Sequence, residues 1–270
     1  VGRPRLFRRL IWQAARWAPV RAAMIAWAGS RHRGADHPFD RAHGVRTSGW
    51  LPGYLLKAGD PLERPTTVYG AAQPSIIRTA LAAVPGIEAC DFLDIGCGKG
   101  RALLVAAGLG FAGVTGVELS PALARVARRN AAIMARADPG ATPIRVVTGD
   151  ALAQALPAGP LVVFLYNPFP PPVVAQLLVR IEAALRGRQA ALYVVYYNPI
   201  AADLFDASPL LMRRFAAQLD YDPSEMGFGP DGSDAVVIWQ NRDNPMAPLA
   251  GAEAAVRVLT NQGRAEVVSG

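Results

Sequence analysis

The sequence predicts a doubly wound α/β sheet that ends in an antiparallel pair of strands, and three observations carry that expectation. Unbroken β-rich runs recur at 92–95 (FLDI), 114–119 (VTGVEL), 144–149 (IRVVTG), 161–166 (LVVFLY) and 191–197 (ALYVVYY). Runs of this kind mark strands covered on both faces, as in parallel sheets. Helical patterns at 101–109, 121–136, 172–186 and, more briefly, 201–206 separate them, and parallel neighbours need such crossovers. No helix intervenes between FAAQLDYD and DAVVIWQN (234–241), so the last two strands are expected to pair antiparallel at the sheet end.

Upstream of these elements, PSIIRTALAAV has proline near its start, Ser75 as a cap and apolar residues at Ile76, Ile77, Leu81 and Val84. It reads as a short amphipathic helix ending at Pro85-Gly86. Residues 30–66 are dense in Gly, Pro, Asp and His without a sustained period, which predicts an irregular connector over the body. All three histidines, His32, His37 and His43, lie there beside Asp36 and Asp40. Their spacing matches no pair on one helix face, so solvated or capping roles are expected and no metal site. The resulting division is a basic arm (1–36), a lid or connector with its helix (37–88), the main domain (89–243) and a loosely attached tail (244–270).

With 270 residues, 51% hydrophobic and 18% charged, the chain can bury one substantial core. Cys90 and Cys97 are its two cysteines, too few for a disulfide framework and wrongly spaced for zinc, which fits a reducing cytoplasm. The net charge of +7 is concentrated: eight of the 28 basic residues and none of the 21 acidic ones fall in residues 1–35. The remainder is close to neutral, which speaks against a phosphate-binding face. In the arm, arginines interleave with Leu6, Phe7, Leu10, Ile11, Trp12 and Trp17, and Pro19 interrupts the run. No stretch approaches the roughly 20 apolar residues of a spanning helix. Two readings stay open for residues 1–30: an amphipathic helix contacting a membrane surface or partner protein, or a helix packed on the body.

The chemistry gathers at DFLDIGCGKGR, between the first strand and the next helix. A triphosphate loop needs GxxxxGK[ST], but Gly100 follows Lys99 here; a dinucleotide fingerprint needs glycine where Arg101 stands. The pattern is instead Asp94 followed by Gly96, Gly98 and Gly100. A carboxylate at a strand tip repels a pyrophosphate but suits a ligand with ammonium and sulfonium charge, as in S-adenosylmethionine, while the glycines admit its close approach. Glu118 ends the second strand, where it can accept both hydroxyls of a ribose. Each charge-assisted bond contributes about 1.5–3 kcal/mol. Gly149-Asp150-Ala151 puts a third acid at the next strand end, where an adenine amino group would be read. A non-catalytic scaffold that merely docks through the arm has no need of three such acids.

DFLDIGCGKGR, GVELS, TGDA and LYNPF resemble the successive motifs of class I S-adenosylmethionine-dependent methyltransferases, across about 90–243. The resemblance implies a Rossmann-like sheet of seven strands, the last antiparallel, and S-adenosyl-L-methionine as cofactor. It assigns Asp94 and Gly96 to the methionine end, Glu118 to the ribose and Asp150 to the adenine. Cys97, Gly98, Gly100, Leu119 and Ala151 join them as cofactor contacts.

Methyl transfer is an in-line displacement on a sulfonium carbon, so alignment and exclusion of water dominate. LYNPFPPP places Asn167, Pro168 and Phe169 at the fourth strand tip, where amide and carbonyl oxygens can accept from an amine while Tyr166 and Phe169 exclude water. Methyltransferases of adenine or cytosine amino groups carry [DNS]PP[YFW] here; NPF is one proline short, and the neutral body argues against nucleic acid as acceptor. VYGAAQPSIIRTAL together with the Asn-Pro-Phe tip is similar to non-SET protein-lysine methyltransferases of the telomeric-silencing-disruptor class, which have glutamate where Ala71 stands. That similarity implies that Tyr69 and Gln73 cover the cofactor and that Asn167 and Phe169 line an acceptor channel. Phe39 to Gly49 also resembles the FDxxHGVxTSG segment of bacterial methyltransferases of unassigned substrate, which would make it a lid. Tyr197 and Asn198, in YYNPI, flank the same crevice as reserve candidates. The expected reaction is methylation of an amine on a protein lysine or a small molecule.

Overall fold

The structure, a computed structural model, describes residues 36–50, 69–229, 232–244, 256–261 and 264–269. The basic arm and its expected membrane or protein contact lie outside the described residues. Among the described residues no helix is long and apolar enough to cross a membrane.

Seven strands form one sheet: β1 (Asp91–Ile95), β2 (Gly113–Glu118), β3 (Ile144–Thr148), β4 (Leu161–Tyr166), β5 (Leu192–Tyr197), β6 (Leu211–Asp220) and β7 (Ser233–Asn241). Their order is β3-β2-β1-β4-β5-β7-β6. The first five run parallel, and β7 lies antiparallel between β5 and β6, as the missing helix before it requires. The helices are α1 (Pro38–His43), α2 (Pro74–Ala82), α3 (Arg101–Ala107), α4 (Pro121–Ala137), α5 (Pro171–Leu185) and α6 (Ala202–Asp206). One core joins α2 and α3 to one face of the sheet through Ile76, Ile77, Leu81 and Leu103; the other joins α5 and α6 to the opposite face through Val174, Leu177, Ile181 and Phe205. Each of these large apolar side chains contributes about 1.5–3 kcal/mol on burial.

Four expectations need correction. The connector contains a helix: the ring of His37 caps α1 by accepting from Phe39 N at 3.1 Å, Pro38 pre-sets its first turn, and Gly44 ends it at φ 64°. Ser75 is not the cap of α2; Gln73 holds that position, and the Ser75 N–H and hydroxyl go to the Glu225 carboxylate at 3.1 and 2.5 Å. β6 starts at Leu211, ahead of the expected run, because a bulge between Arg213 and Phe215 breaks its alternation. Within the tail, which was expected to be loosely attached, β8 (Val256–Asn261) and β9 (Arg264–Ser269) form a hairpin, and β9 packs against β6 and β7.

Candidate active site

The chain leaves β1 for α3 on one face and β4 for α5 on the other, so a crevice opens beyond the carboxyl ends of these neighbouring strands. A pocket occupies it. Of the residues expected at a site, Gln73, Gly100 and Asn167 do not line this pocket; Tyr69, Asp94, Gly96, Cys97, Gly98, Glu118, Leu119, Asp150, Ala151, Tyr166, Pro168 and Phe169 all do. Arg101 and Phe164 also line it, and the sequence reading missed both.

The glycine loop is shaped by its neighbours. Gly96 and Gly98 have φ of 80° and 56°, in the left-handed region that side chains disfavour. A Cβ at Gly96 would lie 2.7 Å from Pro168 Cβ, and one at Gly98 would lie 2.3 Å from the Tyr69 ring. The two glycines therefore let the fourth-strand tip and Tyr69 close on the loop. Gly100 caps α3 and packs toward Ala127 instead of facing the pocket. Burial, followed by the charges of Asp94 and Glu118, pushes the Cys97 thiol well above its ordinary range, so Cys97 is no nucleophile.

The acids differ sharply in their surroundings. Glu118 accepts from Gly98 N at 2.8 Å and Ser120 N at 2.7 Å, joining the loop to the end of β2. Burial raises its pKa, and those two N–H groups oppose the rise. Asp150 caps the turn that follows β3 by accepting from Leu152 N at 2.9 Å. Asp94 is 4% exposed, and no donor among the described residues reaches it. Burial first, and the Glu118 charge second, push it up to about 8. A buried acid with no donor among the described residues, beside a second acid, fits a ligand that brings a cation and hydrogen-bond donors; a phosphate would add repulsion. These residues therefore suit S-adenosylmethionine.

The upstream segment roofs the pocket at Tyr69, whose hydroxyl donates to Thr47 O at 2.5 Å. Burial pushes this phenol well above its ordinary range, so it remains a donor. Gln73 sits behind the roof. His37 Nδ1 accepts from Phe39 N, so its Nε2 carries the proton and donates to Gln73 Oε1 at 2.9 Å.

At the fourth-strand tip, Phe164, Tyr166, Pro168 and Phe169 wall the pocket. Tyr166 stacks on Tyr197 with ring centroids 4.3 Å apart, and burial keeps its hydroxyl neutral. Asn167 and Asn198 share an unusual left-handed backbone, with φ of 48° and 50°. The Asn167 amide oxygen accepts from Tyr196 OH at 3.2 Å, and that of Asn198 accepts from Ala265 N of the hairpin at 2.7 Å. The Tyr197 hydroxyl donates to Asp234 at 2.6 Å, so neither reserve candidate lines the pocket. Among the described residues no cluster of potential ligands could hold a metal ion.

Residues 92–187 match the family model of the methyltransferase domain. Among curated proteins, none matches the chain. Similar solved structures include cofactor-bound Rv0187 from MTB, with 22% identity, 65% of this chain and 83% of the other covered, and a TM-score of 0.47. The O-methyltransferase from Bacillus cereus, in complex with S-adenosylhomocysteine, is 18% identical over 63% of this chain and 82% of its own, with a TM-score of 0.46. An RNA methyltransferase from Salinibacter ruber, also in complex with S-adenosylhomocysteine, is 18% identical over 67% of this chain and 99% of its own, with a TM-score of 0.42.

Proposed function

We propose that this chain, which carries a class I S-adenosylmethionine-dependent methyltransferase domain matched over residues 92–187, methylates an amine nitrogen on a protein lysine or a small molecule. The cofactor supplies a methyl group already activated on a positively charged sulfur. Asp94 would hold its ammonium group, Glu118 the ribose hydroxyls and Asp150 the adenine, as their places around the pocket support. The observation that carries this reading is the buried Asp94 carboxylate, which faces the pocket with no hydrogen-bond donor among the described residues, an arrangement that costs stability unless a ligand supplies the donor.

Phe164, Tyr166 and Phe169 exclude water on the acceptor side. No histidine lines the pocket, the Cys97 thiol stays protonated, and this reading commits the three lining acids to the cofactor, so it leaves no group for strong general-base catalysis. An amine held uncharged by an apolar, water-poor wall is nucleophilic without further ionisation, whereas a hydroxyl would need a base to remove its proton. Alignment and desolvation supply the rest of the rate.

Calorimetric titration of the folded protein with S-adenosylmethionine and S-adenosylhomocysteine tests the first half of the proposal; binding of both is expected, and no heat from either would end it. Incubation with radiolabelled cofactor and fractionated cell extract tests the second half. Label is expected in protein or small-molecule fractions, and label in nuclease-sensitive material would replace the amine reading with nucleic-acid methylation.

A further inference from the structure

The two basic residues of GCGKGR grip the segment that folds over the loop. Arg101, 4% exposed, donates from Nε to Thr47 Oγ1 at 2.6 Å, from one terminal nitrogen to Ser48 Oγ at 3.0 Å and from the other to Ala72 O at 3.3 Å. Asp40 is its buried counter-charge at 3.7 Å and also accepts from Thr47 N and Ser48 N, each at 2.8 Å, and from the Thr47 hydroxyl. Lys99 Nζ donates to Ser48 O at 2.5 Å and lies 5.1 Å from the centre of the Tyr69 ring. Asn130 braces the same corner through Arg46 N, Arg46 O and Lys99 O. The corner so fixed presents the Thr47 carbonyl that receives the Tyr69 hydroxyl, while the Tyr69 ring rests against Gly98.

We propose that Arg101 is a positioning residue for cofactor binding: with Asp40 it locks the Thr47–Ser48 corner, which sets Tyr69 over the glycine loop. The strap of residues 37–48 thus controls affinity without lining the pocket itself. A guanidinium is needed because three separate acceptors must be met by one rigid fork, which an ammonium group cannot reproduce. Burial makes the arrangement all-or-none, since an unpaired charge there is costly. The inference rests on reading the pocket as an S-adenosylmethionine site.

The test is a double-mutant cycle on S-adenosylhomocysteine affinity by calorimetry, with Arg101→Lys, Tyr69→Ala and the double variant, each verified as folded by circular dichroism and thermal melting. Arg101→Lys should weaken binding by roughly fivefold or more in the wild-type background and by less than about twofold once Tyr69 is removed. Thr47→Val should resemble Arg101→Lys, whereas Thr47→Ser, which keeps the hydroxyl, should bind like the wild type. Additive losses would overturn the proposal, because Arg101 would then act on the ligand directly, as its place on the pocket wall allows. Hydrogen exchange on the ligand-free protein reads the lock independently. Arg101→Lys should speed exchange at residues 69–72, and unchanged rates there would also overturn it. Failure of the wild type to bind would end the cofactor reading, with the exchange result still deciding the lock.

Discussion

Asp94 and Asp234 are two carboxylates at the same rim of the sheet, each 4% exposed, with opposite surroundings. Asp94, on β1, has no hydrogen-bond donor among the described residues and faces the pocket. Asp234, near the start of the antiparallel β7, accepts from Tyr197 OH at 2.6 Å and Tyr221 OH at 2.5 Å, and pairs with Arg264 at 2.9 Å. Burial raises both pKa values, but the two tyrosine hydroxyls oppose the rise at Asp234, while the Glu118 charge adds to it at Asp94. Burial of an acid alone therefore does not mark a ligand site. An acid whose partners are supplied by the chain organises structure; one left waiting organises binding.

Removing Asp234 tests the structural side of the contrast and should have the largest effect. Asp234→Ala removes the acceptor of two buried tyrosine hydroxyls, each loss costing about 1–3 kcal/mol in denaturant unfolding, and breaks the ion pair with Arg264. S-adenosylhomocysteine affinity of the folded fraction should stay near the wild-type value. A large loss of affinity with intact stability would erase the distinction between the two acids.

Asp94→Asn should give the reverse signature. Losing a charge-assisted bond weakens cofactor binding by about 1.5–3 kcal/mol, or roughly 10- to 150-fold, in calorimetry. Stability near neutral pH should hold or rise, because the folded chain no longer has to keep a buried acid protonated that the unfolded chain would ionise.

The same acid predicts a pH dependence. With its pKa raised from 3.8 to about 8 in the ligand-free fold, Asp94 keeps a proton that the unfolded chain has already lost in the intervening range. Its contribution to ligand-free stability is therefore full below the unfolded value and disappears as pH rises through about 8. Binding of an ammonium group has the opposite sign, since it favours the carboxylate. S-adenosylhomocysteine affinity should rise by up to about tenfold per pH unit on approaching pH 8 and flatten above it, with proton release seen in buffers of different ionisation enthalpy. Asp94→Asn should remove this slope; a slope that survived would assign it to Glu118 or another group.

The two halves were unequally legible in the sequence. Around Asp94, the strand, glycine pattern and strand-end acids all follow from local rules, and the eleven consecutive positions from Asp91 to Arg101 include five that line the pocket. The Asp234 network escaped because its members come from β5, the turn after β6, β7 and the hairpin, and no periodicity joins them. The hairpin itself had a signal, VRVLT and AEVV on either side of Asn-Gln-Gly, that the reading passed over. Arg101 looked like a failed dinucleotide motif because its partners, Asp40, Thr47 and Ser48, lie more than fifty residues upstream. A strand-tip position alone does not put Asn167 on the pocket wall: its amide oxygen accepts from Tyr196 OH, a contact no local pattern encodes.

The hairpin offers the smallest and most local perturbation. Asn198 stands at φ 50° and its amide oxygen accepts from Ala265 N, so alanine there would combine backbone strain with loss of the acceptor. Glycine separates the two, since it adopts that backbone freely while still removing the amide. Asn198→Gly should cost about 1 kcal/mol and show as faster exchange of the Ala265 amide. Asn198→Ala should cost roughly 1 kcal/mol more, the difference measuring the left-handed strain. Both should leave cofactor affinity unchanged if the hairpin belongs wholly to the Asp234 side of the sheet. A weakened cofactor would mean that the hairpin reaches the pocket through Tyr197 and the Tyr166 ring stacked on it, and the boundary between the structural and binding halves would move to β4.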